Sequence, residues 1–281
     1  MIFDFRLRPP YRSFQNLGIF HPPCNEMPPQ KYHAQPSEAA RNRDFDAFLK
    51  EMESAGICAG VVMGRRVPDD TVSVSNDDVL ELGRMFPDTF VPFVGLDVSR
   101  GVAAVMAELE KCVAGGARGV ALEPAMSLPP RKADAAVLYP VYARCEQAGL
   151  VVVLTMSFFQ GDLDYSDPVA VQHVARDFPR LQIVIAHGGY PWIPMCYQLS
   201  LVHDNVWLLP DIYAFNPMAP GNAMFGEAMQ WLDGEHILFG SAFPCYNMKQ
   251  AVQDLTRFHL SESVMAKFLH DNACRVLGLN K

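Results

Sequence analysis

Short apolar runs rich in β-branched residues alternate along the chain with longer segments that carry apolar residues at helical spacing. Most of the short runs contain almost no polar residue, which is typical of parallel strands covered on both faces. The alternation predicts a series of βα units. The predicted strands are residues 2–5, 60–63, 90–96, 119–122, 150–154, 182–186, 206–209 and 237–240.

Capping residues mark where several of the intervening helices begin. Ser37 introduces a long amphipathic run that ends near Gly56, and Ser261 begins the final helix. Asp167 precedes Pro168, and proline is favoured in the first turn of a helix. Residues 9–36 show no regular periodicity, and a loop of this length is usually a lid or an active-site loop.

Eight strands that alternate with helices predict an α/β fold, a (β/α)8 TIM barrel formed by a single domain over residues 1–281. The length fits, because such a barrel takes about 250 residues. The alternative is an open, doubly wound parallel sheet. The barrel is favoured because closure leaves no edge strand, and because no GxGxxG motif follows the first strand.

The composition is that of an ordinary globular enzyme, with 50% hydrophobic and 19% charged residues. A formal net charge of −8 argues against nucleic acid and anionic membranes as partners. The chain has no signal-like start and no apolar run of spanning length, so we expect a cytoplasmic protein that does not enter membranes. Seven cysteines without CxxC spacing indicate free thiols. These features are compatible with a homo-oligomer.

In a TIM barrel the chemistry lies where the strands run into the loops that follow them. Polar side chains follow most of the predicted strands at this point, and we expect them to surround one site. They are Asp4, Arg6 and Arg8 after the first strand, Arg65 after the second, Glu123 after the fourth, Thr155 and Ser157 after the fifth, His187 after the sixth, and Asp211 and Tyr213 after the seventh.

Three arginines at one end of an acidic protein predict a small anionic substrate. Guanidinium groups stay charged and bind carboxylates through paired hydrogen bonds. The alternative is a structural ion network in which Arg6 or Arg8 pairs with Asp4, Glu123 or Asp211. We interpret the hydroxyl groups of Thr155, Ser157 and Tyr213 as further substrate-binding groups, because none lies in a GxSxG nucleophile context.

His187 is the leading candidate for proton transfer, because the pKa range of histidine suits a general acid or base near neutral pH. It follows a buried strand and precedes two glycines, which permit a close approach of backbone or ligand. Asp4 and Asp211 are candidates to orient its ring or to act as the base. Glu123 is a candidate catalytic group or an ion-pair partner of an arginine.

Three segments of the sequence carry a family resemblance. They are residues 174–192, which end in Ala-His-Gly-Gly-Tyr-Pro-Trp, residues 237–244 (Ile-Leu-Phe-Gly-Ser-Ala-Phe-Pro) and residues 272–279 (Asn-Ala-Cys-Arg-Val-Leu-Gly-Leu). With them the chain resembles the amidohydrolase-related family that includes aminocarboxymuconate semialdehyde decarboxylase, benzoate decarboxylases, and lactone or amide hydrolases. The resemblance covers nearly the whole chain and implies a TIM barrel with a small-molecule site at the carboxyl ends of its strands.

Members of that family usually bind a divalent metal, and this sequence departs from their ligand pattern. Arg6 and Arg8 stand in the two histidine positions of the first strand, Thr155 in that of the fifth, and Ala242 in the aspartate position of the eighth. Arginine and alanine offer a metal no electron pair, and two guanidinium groups repel a dication. We therefore expect no cofactor. If zinc or another divalent metal does bind, the remaining donors are His187, Asp4, Glu123 and His33.

The resemblance and the strand-end residues together predict a hydrolase of the amidohydrolase superfamily that acts on a small carboxylated compound such as a lactone, either without a metal or with an atypical one. In this hypothesis Arg6 and Arg8 hold a carboxylate or an oxyanion, and His187 or Asp211 activates water. One alternative is a nonoxidative decarboxylase of an aromatic or muconate-type acid, against which Ala242 counts. Another is a protein that has lost catalysis and keeps an anion-binding pocket.

Overall fold

A parallel sheet of seven strands lies at the centre of the computed structural model, which describes residues 1–26, 37–156 and 162–279. The strands pair in chain order, each parallel to the next. They are β1 (Ile2–Leu7), β2 (Ile57–Met63), β3 (Phe90–Gly95), β4 (Gly119–Leu122), β5 (Val151–Leu154), β6 (Ile183–Ala186) and β7 (Val206–Leu209). Seven predicted strands are confirmed, with ends that differ by at most three residues from those predicted.

The eighth predicted strand closes the sheet into a barrel through isolated bridges rather than a regular ladder. Ile237 bridges Leu208 of β7 in parallel. On the other side, the backbone N–H of Phe5 in β1 donates to the carbonyl oxygen of Phe239 at 2.8 Å. The predicted (β/α)8 TIM barrel is therefore confirmed, with an irregular segment in the eighth position.

Twelve α-helices accompany the sheet in the described ranges. They are α1 (Glu38–Asn42), α2 (Phe45–Ser54), α3 (Asn76–Met85), α4 (Val102–Ala114), α5 (Tyr139–Ala148), α6 (Pro168–Asp177), α7 (Ile193–Val202), α8 (Asp211–Phe215), α9 (Ala223–Trp231), α10 (Met248–Asp254), α11 (Glu262–Ala266) and α12 (Asn272–Leu277). Ser37, Asp167 and Ser261 cap helices as predicted, since each side chain accepts a backbone N–H of the first turn. None of these helices has the length and apolar character that crossing a bilayer requires.

The single long helix predicted from Ser37 to near Gly56 is wrong, because two helices occupy this segment. Arg43 adopts a left-handed conformation with φ of 52° and ends α1. Asp44 then begins α2, and its side chain accepts the backbone N–H of Ala47 at 3.0 Å. A left-handed residue interrupts the helical hydrogen bonds without changing the apolar periodicity, so the pattern did not reveal the break.

Alternate residues of the strands fill the barrel interior, because successive side chains of a strand point to opposite faces. The residues that pack there are Phe3, Phe5, Val61, Met63, Phe93, Ala121, Val151, Val153, Val184, Ala186, Trp207, Leu209 and Leu238. Ala273, Val276 and Leu277 of α12 join the same cluster and cover one end of the barrel. The interior is therefore a packed core, which leaves the opposite end, the mouth, for a site.

A bulge in β1 redirects two side chains toward the mouth. Between Asp4 and Leu7, three steps along β1 match only two along β2. Phe5 packs in the interior, and regular alternation would place Leu7 there as well. Because of the bulge, Leu7 packs outside the interior, and both Arg6 and Arg8 line the mouth. One additional residue in the strand thus reverses the alternation at the point where the arginines lie.

The described part of the predicted mouth loop, residues 9–26, lies against the barrel. It contains two 3-10 turns, Arg12–Asn16 and Gly18–Phe20. The buried ring of Phe14 joins the outer core, and the backbone N–H of Ser13 donates to the Asp78 carboxylate of α3 at 3.1 Å. The segment is therefore held to the barrel by both apolar and polar contacts.

Asn272, the first residue of α12, holds the irregular eighth segment in place. Its buried amide donates to the carbonyl oxygens of Gly234 at 2.6 Å and Ile237 at 2.8 Å. We expect Asn272→Ala to lower the free energy of unfolding by about 1–3 kcal/mol, because two buried carbonyls lose their donor. Urea denaturation measures the change. The exposed Asn42 offers a control, and an equal loss in Asn42→Ala would contradict this role.

Candidate active site

A cavity of about 290 Å³ opens at the mouth of the barrel. One part of its wall is cationic and another is apolar or aromatic. It is lined by Arg6, Arg8, Leu17, Gly18, Ile19, Arg65, Glu123, Met126, Thr155, His187, Ile212, Tyr213, Ala242, Phe243, Pro244 and Cys245. A cavity of this size and mixed polarity suits a small organic anion.

Strand alternation explains how three of these side chains, and the side chain of Asp211 behind them, reach the site. Arg65, Glu123, Thr155 and Asp211 each lie two residues beyond an interior residue at the end of their strand, and therefore on the same face. Asp211 lies directly beneath the cavity wall and is fully buried. The inward-facing residues of the strands are thus followed, at the carboxyl ends, by the polar residues of the mouth.

His187 reaches the site by a local distortion instead. It has a φ of 58°, and Gly188 and Gly189 that follow it also have positive φ values. A Cβ atom at Gly189 would lie 2.1 Å from Cys196 Sγ, and one at Gly188 would lie 2.5 Å from a ring carbon of Phe225. The two glycines are thus required by packing against the protein itself, rather than by the approach of a ligand.

The Asp211 carboxylate binds His187 through both of its oxygens. Asp211 Oδ1 lies 2.9 Å from His187 Nδ1, and Oδ2 accepts the backbone N–H of His187 at 3.3 Å. A carboxylate only accepts hydrogen bonds, so the proton of a neutral His187 ring lies on Nδ1 and its Nε2 is an acceptor. The edge of the same ring packs against Tyr213, with ring centroids 4.8 Å apart.

Arg6 shares the same carboxylate. Its Nη1 lies 3.3 Å from Asp211 Oδ2, and both side chains are withheld from water, with exposures of 7% and 0%. The Nη1 atom makes no hydrogen bond to any residue in the described ranges, because its N–H groups are not aligned with that oxygen. Arg6 and Asp211 therefore balance in charge, while donors of Arg6 are left for another acceptor.

Arg8 and Arg65 both bind Glu123. Arg65 Nε lies 3.2 and 3.0 Å from the two oxygens of Glu123, and Arg8 Nη2 lies 3.3 Å from Oε1. Backbone carbonyls fix the two arginines further, that of Met63 for Arg8 Nε and that of Val72 for Arg65 Nη1. Glu123 is thus an ion-pair partner of two arginines. This was one of the two interpretations of Glu123 that the sequence left open.

The pKa values follow from burial and from these charges. Burial would raise the pKa of Glu123, but the guanidinium groups of Arg65, Arg8 and Arg6 outweigh it and lower the pKa. Burial, together with the charge of Arg6, lowers the pKa of His187 despite the opposing effect of Asp211. His187 is therefore neutral near pH 7 while Glu123 is ionised.

Asp4 lies outside the cavity, in the wall between the first and eighth strands. Its Oδ1 accepts the backbone N–H groups of Arg6 at 2.9 Å and Ser241 at 3.0 Å, and Oδ2 has no partner in the described part of the chain. Burial raises the pKa of Asp4 to about 7. The structure therefore does not bring Asp4 to the cavity with the other candidates, and its visible contacts tie two strands together.

Most of the other predicted residues meet at the mouth. Thr155 and Tyr213 line the cavity, whereas Ser157 lies outside the described residues. Several apolar wall residues were not predicted from the sequence, Met126, Ile212, Phe243 and Cys245 among them. Their positions just after strand ends could have indicated them, but apolar side chains carry no chemical signal.

Backbone strain is concentrated at three consecutive strand ends. His187, Asp211 and Ala242 follow β6, β7 and the eighth segment, and have φ values of 58°, 43° and 60°. Left-handed conformations are uncommon for residues other than glycine, and they cluster at functional sites where the surroundings enforce them. The strain supports the assignment of this mouth as the functional site.

A family model described as amidohydrolase matches residues 5–279. The chain therefore belongs to the amidohydrolase family. A comparison with functionally curated proteins finds no match. Membership of this family supports an enzymatic role, whose reaction class remains to be assigned from the site itself.

Several solved structures have a similar barrel fold. An uncharacterized TIM-barrel protein of Bordetella bronchiseptica is 33% identical, with a TM-score of 0.90 and coverage of 99% of this chain and 98% of that one. A 2,6-dihydroxybenzoate decarboxylase from Rhizobium is 18% identical (TM-score 0.64, coverage 83% and 88%). A protein of Pseudomonas putida, provisionally assigned as a 2-pyrone-4,6-dicarboxylic acid hydrolase, is 19% identical (TM-score 0.61, coverage 83% and 86%). The two distant neighbours share the fold and differ in reaction.

The side chains at the mouth do not fit the divalent metal that the family commonly holds. Arg6 and Arg8 stand at the two first-strand positions that the family resemblance assigns to metal-binding histidines. Neither their guanidinium groups nor the side chain of Ala242 offers a metal an electron pair. Within residues 1–26, 37–156 and 162–279, no group of three or more His, Cys, Asp or Glu is arranged to bind an ion. The remaining candidate donors, His187, Asp4 and Glu123, therefore do not form such a group, and His33 lies outside the described ranges.

We expect the contribution of Asp4 to stability to fall as the pH rises. Its folded pKa is about 7, whereas an unfolded aspartate titrates near about 3.9. The folded state therefore binds the proton more tightly. The contribution of Asp4 to the free energy of unfolding is complete below about pH 4. It falls between about pH 4 and pH 7, by at most about 1.4 kcal/mol per pH unit.

Urea denaturation of the wild type and of Asp4→Asn between about pH 5 and pH 8 tests this expectation. The free energy of unfolding of the wild type should fall relative to that of the variant as the pH rises. The exposed Asp88 supplies the control, since Asp88→Asn should leave the pH dependence unchanged. A constant difference between the wild type and Asp4→Asn would contradict the raised pKa.

Proposed function

We propose that the protein hydrolyses a small carboxylated lactone, with His187 as the general base and without assistance from a metal. The observation that carries the proposal is the pairing of a buried His187–Asp211 dyad with a guanidinium group, that of Arg6, whose donors are not all used. A base for water and a cation for the developing oxyanion are the two groups that ester hydrolysis requires.

The reacting end of the cavity is lined by His187 and Arg6, and Asp211 lies buried behind them. Both oxygens of Asp211 are engaged and the residue is fully buried, which leaves His187 rather than Asp211 as the group that can accept a proton from water. Asp211 fixes the tautomer in which Nε2 is the acceptor. The Arg6 guanidinium would polarise the lactone carbonyl and stabilise the oxyanion, which is electrostatic work that a metal performs in other enzymes.

The binding end contains Arg8 and Arg65. Each has N–H groups not used by Glu123 or by the backbone, and their side chains are only 15% and 16% exposed. A substrate carboxylate would be held there by charge-assisted hydrogen bonds. The apolar residues of the wall, such as Ile19 and Met126, would cover the carbon skeleton.

The reaction balances with water as the only co-reactant. Water adds to the lactone carbonyl carbon while His187 Nε2 takes its proton. The tetrahedral oxyanion then collapses, the ring carbon–oxygen bond breaks, and the leaving alkoxide takes the proton back from His187. The product is an open-chain hydroxy or oxo acid with one more carboxyl group than the substrate. This new group releases its proton to solvent, and the base is regenerated.

The second candidate is nonoxidative decarboxylation of an aromatic acid. The fold is shared with decarboxylases, and Tyr213 stacks on Tyr190 with ring centroids 4.7 Å apart, which offers a flat aromatic surface at the wall. Such a reaction would use His187 to protonate the ring carbon. The hydrolase is favoured because the Nε2 atom of a neutral His187 accepts a proton rather than donating one.

Lactones that carry a single carboxylate, such as 2-pyrone-5-carboxylate, supply the direct test. Spectrophotometry and mass spectrometry should detect ring opening with the uptake of one water. We expect His187→Asn to lower kcat by about 10²–10⁴-fold, because the general base is lost. Arg65→Met should act mainly by raising KM, because a charge-assisted contact made throughout the reaction is lost.

Arg66→Met is the matched control, since Arg66 is the next residue and pairs with the exposed Asp70 instead of lining the cavity. Release of CO2 in place of ring opening would assign the decarboxylase. Tight binding of carboxylates without turnover of any lactone or acid would instead support an anion-binding protein that has lost catalysis.

The pH profile of kcat provides a separate prediction. A general base must be unprotonated, and burial lowers the pKa of His187 below its ordinary value of 6.5. The acid limb of the rate profile should therefore have its midpoint below pH 6.5. Asp211 raises the pKa of His187, so Asp211→Asn should move this acid limb to still lower pH as well as reduce kcat. An acid limb that moves upward would contradict the dyad.

A further inference from the structure

The guanidinium groups of the mouth form two sets of ion pairs, one with Asp211 and one with Glu123. Arg6 pairs with Asp211, which makes the reacting end neutral in total. Arg8 and Arg65 share the single carboxylate of Glu123, which leaves the binding end with one uncompensated positive charge. The neutral state of His187 adds no charge to either set.

The set of ion pairs at the binding end is withheld from water. The side chains of Arg8, Arg65 and Glu123 are 15%, 16% and 10% exposed, so solvent screens their charges weakly. The lowered pKa of Glu123 keeps its carboxylate ionised throughout the neutral range. In such surroundings a net positive charge is stabilised by one added negative charge. A second added negative charge would remain without a partner and would be destabilised.

We propose that Glu123 acts as a built-in carboxylate that restricts the site to substrates with a single carboxylate at the binding end. The inference rests on the proposed function for the assignment of the two ends. It refines that function by naming a monoanion as the substrate class and Glu123 as the residue that sets it.

The geometry explains how the restriction operates. Glu123 holds Nε of Arg65 through both of its oxygens and Nη2 of Arg8 through one of them. The Nη1 atom of Arg8 and the Nη2 atom of Arg65 make no hydrogen bond within the described ranges and can bind one incoming carboxylate. A second carboxylate would have to compete with Glu123 for the same two guanidinium groups and would lie close to its charge.

Binding of a matched pair of probes tests the proposal without relying on turnover. Benzoate and isophthalate have the same ring and differ by one carboxylate at the meta position. Isothermal titration calorimetry at low salt should show that the wild type prefers benzoate by at least tenfold. Glu123→Gln has the same shape but no charge, and it should change the ratio of the two affinities by at least tenfold in favour of isophthalate.

Two further variants separate charge from structure. Glu123→Asp keeps the carboxylate and should keep the preference for benzoate. Glu51→Gln removes another carboxylate, a partly buried one that accepts the N–H of Met248 and does not line the cavity, and it should leave the ratio unchanged. Circular dichroism establishes that each variant is folded, and Glu123→Asp remains informative if Glu123→Gln does not fold.

The outcomes distinguish this inference from the proposed function. If Glu123→Gln weakens both probes equally, Glu123 only supports the arginines and the inference is overturned. If Glu123→Asp loses the preference for benzoate, or if the wild type binds neither probe, it is overturned as well. Failure of lactone hydrolysis with the affinity ratio behaving as expected would reject the reaction and leave the selectivity in place.

Discussion

The compensation of guanidinium charge inside the barrel mouth is the constraint on which the rest of the site depends. A buried charge without a partner costs several kcal/mol, so the arginines of the mouth need carboxylates beside them. Asp211, which is fully buried, meets this need for Arg6 and holds the ring of His187 at the same time. Loss of Asp211 would therefore disturb both the charge balance and the orientation of the His187 ring.

Closure of the barrel and construction of the site involve the same residues. The first strand supplies Arg6 and Arg8 and also bonds to the eighth segment, where the backbone N–H of Arg8 donates to the carbonyl oxygen of Phe243 at 3.0 Å. Asp4 joins the two segments from the side facing away from the cavity, through Ser241. The strained Ala242 lies between these two contacts. The seam that closes the barrel thus fixes where the guanidinium groups lie.

The sequence predicted the features that follow from strand periodicity. Arg65, Glu123 and Thr155 lie where the alternation of β2, β4 and β5 predicts, and seven strands have nearly their predicted ends. The bulge in β1 was not predictable, because the residues of that strand alternate regularly between aromatic or aliphatic and charged types. Asp4 was therefore grouped with the arginines of its own strand, although the structure separates it from them.

The position of His187 was predicted from its place after a buried strand, but its geometry was not. Alternation along β6 would have turned the next residue, Gly188, toward the interior, and the left-handed conformation of His187 changes that direction. No local sequence signal marks this change, since it depends on Asp211, a residue 24 positions later. Pairings over such distances follow from the closed barrel rather than from any segment of the sequence.

In the proposed hydrolase, guanidinium groups take over part of the work of a dication, so the catalytic work is divided between different residues. A metal can both polarise a carbonyl and lower the pKa of a bound water, whereas an arginine supplies only fixed charge and N–H donors. Water activation then falls to a separate base, and a base that works near neutral pH must be unprotonated there. Burial and the charge of Arg6 lower the pKa of His187 and meet that condition. In that proposal, the charge of Arg6 both polarises the carbonyl of the substrate and keeps the neighbouring His187 unprotonated.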